Sequence, residues 1–165
     1  MSSVEAVRLS SVPATVGAMD LAAVLTALRA SWGPDTCAPE DVVDWTPSNP
    51  ARGQCATTAV VLHDHFGGCL VRGEVLVDGE QVDFHWWNSL PDGQHIDATI
   101  CQFAAHERVV GGTDVERPTG PTRLDEQYAL LSARVATVLA AGPAGALPAR
   151  LTGIRDVGSR SSRRV

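Results

Sequence analysis

The hydrophobic period of this chain changes at Gly67-Gly68, and that change limits the fold more than any other feature. Before the glycine pair, Val60, Val61 and Leu62 give residues 53–66 one buried helical face, and adjacent glycines are a strong helix stop. After it the period is two. Residues 69–77 and 82–90 read as strands joined by an Asp78-Gly79 turn, and Pro91-Asp92-Gly93 turns the chain into a third strand at 94–99. A helix that feeds directly into antiparallel hairpins predicts an α+β fold, with the helix packed on a small antiparallel sheet.

The flanks extend that reading. Leu21, Val24, Leu25 and Leu28 recur at helical spacing behind Asp20, a plausible cap, and Gly33-Pro34 ends that helix. Residues 34–52 hold Pro34, Pro39, Pro47 and Pro50, which forbid continuous helix or central strand, so the segment reads as an ordered loop carrying Trp45. Residues 109–121 are rich in Gly, Pro and Thr and read as loop. Leu124, Tyr128, Leu131, Val135 and Val138 form one stripe over a last helix at 124–141. Residues 1–141 are thus expected to form a single domain. Residues 142–165, rich in Gly, Pro, Ser and Arg, are expected to be a disordered tail.

Composition narrows the function. With 44% hydrophobic and 19% charged residues, a chain of 165 can bury a core without disulfides or metal. No apolar run approaches the ~20 residues of a membrane span, and no secretory signal opens the chain, so a cytoplasmic protein is expected. Its four cysteines, Cys37, Cys55, Cys69 and Cys101, are then expected to be reduced, and none forms a C-x-x-C pair. The net charge of -6 argues against nucleic acid. There is no lysine, which removes Schiff-base chemistry, pyridoxal phosphate and the P-loop lysine together. No cofactor is expected.

Cys55 is the residue around which chemistry can be built. A proline-bounded loop, Ser48 to Gln54, delivers it to the first turn of a helix, where free N–H groups and the helix dipole favour a thiolate and can receive an oxyanion. Gly53 would let a substrate approach the backbone closely. The plain alternative is a cysteine that only packs. Among five histidines, His85 sits on a strand between aromatic neighbours, Phe84 and Trp86-Trp87, which suits an oriented base in a water-poor site. A register pairing Asn88 with Gln94 sets Asp97 opposite His85, where it would fix the imidazole tautomer, whereas a one-residue slip would separate them. His95 is the competing base. A metal site from Cys55, His63 or His65 and Cys69 can be drawn, but with no familiar ligand spacing.

The blocks Asn49-Pro-Ala-Arg-Gly-Gln-Cys55-Ala, Asp64-His-Phe-Gly-Gly68, His85-Trp-Trp-Asn88, Asp97-Ala-Thr99 and Gln102-Phe103 resemble the YunG family of small bacterial proteins. The order cysteine, histidine on a strand, aspartate on the next strand is similar to papain-like and transglutaminase-like enzymes. That resemblance implies Cys55 as nucleophile, His85 as general base and acid, and Asp97 as orienting carboxylate. It also implies an oxyanion-donating amide, with Asn49 at the papain-like offset and Gln54 as its rival. Trp86, Trp87 and Asn88 would help bind substrate. The expected function is a cysteine-dependent hydrolase or acyltransferase acting on a small or short peptide-like amide, ester or thioester, in a setting such as secondary metabolism. The alternative is a non-catalytic ligand- or protein-binding module in which Cys55, His85 and Asp97 are structural.

Overall fold

A computed structural model describes residues 20–142. The expected tail, apart from Gly142, and the first nineteen residues lie outside the described residues. The described chain is α+β: three helices and one four-stranded antiparallel sheet. Helix α1 (Leu21–Ser31) is capped by the Asp20 carboxylate, which accepts from the Ala22 N–H at 3.0 Å. Helix α2 (Cys55–Phe66) stops at Gly67, whose φ of 70° is the left-handed ending that its sequence announces. Helix α3 (Asp125–Ala141) begins behind Leu124. The three helices share one core: Val24, Ala27 and Leu28 of α1, Val61 and Leu62 of α2, and Leu131 and Val135 of α3.

The sheet runs in the order β3-β2-β1-β4, from strands β1 (Cys69–Val77), β2 (Glu80–Ser89), β3 (His95–Ile96) and β4 (Glu107–Val115). α2 packs on β2, and Asn88 ties the two by donating to the Ala59 carbonyl at 2.9 Å.

Two expectations are corrected. The stretch 109–121 is not all loop, because β4 occupies Glu107–Val115 and pairs with β1. Val109, Val110, Thr113 and Val115 carry the strand signal. Gly111-Gly112 masked it, since two glycines opposite the single Gly73 make a β-bulge and not a turn. The bulge also has a tenant: a Cβ on Gly73 would lie 2.8 Å from the Trp87 ring, and one on Gly112 would lie 3.0 Å from it. These glycines are the floor under an indole. Gly73→Ala should therefore cost about 1–2 kcal/mol through overpacking, read as a lower urea midpoint. An unchanged midpoint would mean that the ring does not rest there.

The third strand is also shorter than expected, two residues in place of six. After Ile96 the Asp97 carboxylate accepts from the Thr99 N–H at 3.1 Å, and this local turn peels the chain off the sheet into a short 3-10 turn, Ile100–Gln102. The register is Asn88↔Ile96, displaced by two from the expected Asn88–Gln94 pairing. A two-residue shift keeps every side chain on its face, so His85 and Asp97 still share one.

Candidate functional site

Cys55 is the first residue of α2 and is half-buried on the wall of a cavity of about 180 Å³. Its lining includes Asp41, Arg52, Asp83, Gln102, Phe103 and Glu107. Backbone N–H groups of Trp86 and Ala56 face the thiol and favour its charged form. They do not prevail. Burial, reinforced by the carboxylates of Asp83 and Asp41, pushes the Cys55 thiol up to about 12. The helix-terminus argument for a resting thiolate is thereby corrected: its hydrogen bonds are present, but desolvation and neighbouring negative charge outweigh them. Cys37 is likewise pushed up to about 12, by burial first and then by Asp41.

Gly53 has a different task from the one expected. Its φ is +66°, and a Cβ there would lie 2.4 Å from the Cys37 sulfur and 2.6 Å from Asp41 Cβ. The glycine lets the loop close on Cys37, and the space is filled by protein and not by substrate.

His85 is completely buried. Its Nε2 lies 2.7 Å from Asp97 Oδ2, the pairing foreseen from the strand faces. The ring meets Phe103 edge-on at 4.8 Å between centroids and stacks on Trp87 at 5.8 Å. With Nε2–H donated to the carboxylate, Nδ1 carries the free lone pair, and it faces the Gln102 amide at 3.4 Å. No hydrogen bond joins Cys55 to His85 among the described residues. Gln102 and Phe103 stand between them, since both line the Cys55 cavity and both touch the imidazole.

Gln102 is thus a residue that spacing alone did not single out. It is nearly buried; its Oε1 accepts from the Gly53 N–H at 3.2 Å and its Nε2 donates to the Thr99 carbonyl at 3.1 Å. It stitches the loop before Cys55 to the turn after Asp97. Asp83 was also overlooked, although it lies two residues before His85 on the same strand and hence on the same face.

The other expected residues are placed less centrally. Asn49 donates to the Gln102 carbonyl at 2.9 Å. Gln54 is fully buried, bonded to Thr36 at 2.9 Å and to the Gly33 carbonyl at 2.8 Å. Both amides are committed to the loop scaffold. Trp87 donates to His95 Nδ1 at 3.1 Å, which engages the rival histidine. Trp45 donates to the Pro50 carbonyl. Trp86 walls a second cavity, of about 240 Å³, beside the first turn of α2. Among the described residues no three His, Cys, Asp or Glu side chains converge to hold a metal ion, so the drawn Cys55–His63–Cys69 set does not assemble.

Comparison with known proteins gives a family match for the chain. The family model described as YunG protein matches residues 20–140. A Bacillus subtilis (strain 168) protein named "Uncharacterized protein YunG" is 39% identical over 61 residues, which is 37% of this chain. The match spans 48% of that relative, about half its length. No solved structure matches.

Proposed function

The chain belongs to the YunG protein family, and from the surroundings of Cys55 we propose that it is a cysteine-dependent hydrolase or acyltransferase of small amides, esters or thioesters. One observation carries this reading. A buried histidine is held by a carboxylate through Nε2, so that its basic Nδ1 faces the residue lining the cysteine's cavity. In transglutaminase-like enzymes the same three residue types divide the work in this order, papain-like enzymes having asparagine in the third place, and the proposal assigns Cys55, His85 and Asp97 accordingly.

The thiol rests neutral, so its proton leaves during the attack and not before it. Displacement of the Gln102 amide from Nδ1 frees the imidazole to take that proton as sulfur bonds to the carbonyl carbon. The N–H groups of Trp86 and Ala56, which face the sulfur, would stabilise negative charge there as its proton leaves. Collapse returns the proton to the leaving group, and water or an amine resolves the thioester.

Intact-mass spectrometry after brief exposure to p-nitrophenyl acetate and p-nitrophenyl benzoate tests this. One acyl group should appear on Cys55, be absent in Cys55→Ala, and decay with time. Acylation spread evenly over Cys69 and Cys101, with Cys55 unmodified, would favour the second reading, a binding module. That reading draws on the interposed Gln102 and the neutral thiol, both of which suit a purely structural polar cluster.

A further inference from the structure

Two cavities flank the start of α2, one lined by Cys55 and the other by Ala56, and their linings are opposite in character. The one that holds the thiol carries three carboxylates, Asp41, Asp83 and Glu107, against the single guanidinium of Arg52. Arg52 is already divided between Glu107 at 2.9 Å, Asp41 at 3.5 Å and Asp44 at 3.9 Å. The other, of about 240 Å³, is walled by Ala56, Val60, Leu70, Trp86, Leu124 and Tyr128. The two arginines on its rim are paired, Arg117 with the Asp64 carboxylate and Arg123 with Glu40, while Asp125, also on the rim, accepts from Thr122 and keeps its charge.

The cavities are consecutive along two elements. On α2, Cys55 lines the acidic cavity and Ala56 the apolar one. On one face of β2, Phe84 lines the acidic cavity and Trp86, two residues on, the apolar one. The Arg72 guanidinium covers both rings, at 4.5 Å from the Phe84 centroid and 5.9 Å from that of Trp86. Ala56 and Trp86, whose N–H groups face the Cys55 thiol, also line the apolar cavity. A substrate held with its carbonyl at Cys55 and reaching past Ala56 and Trp86 would have a negatively charged chamber at one end and an apolar one at the other.

We propose that the substrate is an amide joining an apolar acyl group, seated beside Trp86, to an amine that carries a positive charge and sits among Asp41, Asp83 and Glu107. This deepens the cysteine-enzyme reading and rests on it. The Cys55 sulfur bonds to the carbonyl carbon and its proton passes to His85. The C–N bond then breaks, the proton moves to the departing amine nitrogen, and the apolar acyl group stays on sulfur as a thioester. Water gives the carboxylic acid and restores the thiol. The charged chamber has a second consequence. Asp83 and Asp41 oppose ionisation of Cys55 in the empty site. A cation between them offsets that field, so the correct substrate eases thiolate formation when it binds.

The test uses the full-length chain and three amides: N-benzoylagmatine, N-acetylagmatine, and N-benzoyl-β-alanine, whose amine portion ends in a carboxylate. Release of the amine, followed by mass spectrometry, should favour N-benzoylagmatine at least tenfold over each of the others. Asp83→Asn should weaken binding of N-benzoylagmatine to the Cys55→Ala protein several-fold by titration calorimetry. Val60→Trp, which fills the apolar chamber, should do the same while leaving N-acetylagmatine unaffected. Equal or greater release from N-benzoyl-β-alanine or N-acetylagmatine overturns the inference and leaves the cysteine-enzyme reading standing. Specific binding to Cys55→Ala without any acylation of Cys55 in the native protein does the reverse: the two chambers stand and the enzyme reading falls. Absence of binding to Cys55→Ala, or binding indifferent to both substitutions, overturns the chambers.

Discussion

Asp97→Asn should slow acylation of Cys55 by on the order of 10³–10⁴-fold while leaving the fold within about 1 kcal/mol of its native stability. The amide keeps the shape of the carboxylate and can still bond His85, but it removes the negative charge that holds the proton on Nε2 and stabilises the imidazolium. His85→Ala should behave differently. It empties a fully buried site, strips the partner from Asp97 at 2.7 Å, and removes the ring that Phe103 and Trp87 pack against. A loss of about 3 kcal/mol is expected, lowering the thermal midpoint by roughly 10 °C, together with loss of acylation. Rates of p-nitrophenyl acetate acylation and urea unfolding of the two variants separate chemistry from architecture. If Asp97→Asn acylates at the native rate, the carboxylate does not orient a base and the triad assignment is wrong.

That pair of residues also shows how far the sequence could be read. Parity along β2 and the next strand is enough to put His85 and Asp97 on one face, because every register displaced by an even number of residues keeps the same faces together. The register itself is two residues away, because the Leu90 N–H donates to the Gln94 carbonyl and closes the hairpin around Asp92; β3 is short because of the Asp97–Thr99 turn, and a local side-chain bond of that kind leaves no period in the sequence. β4 was hidden for a related reason. Gly111-Gly112 is a turn signal in isolation and becomes a bulge only when Gly73 and the Trp87 ring lie opposite, a tertiary condition. At Cys55 the local features were legible, namely the loop, the helix start and the facing N–H groups. The sign of the electrostatics was not, because Asp41 and Asp83 approach from fourteen residues before and twenty-eight residues after it. Gln102 stands in a family-like block yet has no role legible there, because its importance lies in bonds to Gly53 and Thr99 and its contact with His85, which only the folded chain assembles.

The two raised thiols make stability fall on the alkaline side, and the sign follows from which state holds its protons. An unfolded cysteine loses its proton near 9.0, whereas Cys37 and Cys55 in the folded protein keep theirs to about 12. Below pH 9 both states are protonated and the thiols contribute no pH dependence. Between pH 9 and 12 the unfolded chain releases up to two protons that the folded chain retains, so unfolding is favoured by as much as about 3 kcal/mol per pH unit. This window is unusually clean. The chain has no lysine and one tyrosine, Tyr128, whose hydrogen bond to Asp64 raises it in the folded state and adds a smaller effect of the same sign. Urea midpoints should hold steady from pH 7 to 8.5 and drop steeply from pH 9 to 10.5. Cys37→Ala and Cys55→Ala should each remove close to half of the slope, and Tyr128→Phe should remove a minor share. The same protonation governs reactivity: at pH 8 iodoacetamide should modify exposed Cys101 far faster than Cys55, and Asp83→Asn should narrow the gap. A Cys55 that alkylates faster than Cys101 at pH 8, with midpoints flat to pH 10.5, would mean that the thiolate already exists in the resting protein and that His85 need not accept its proton during attack.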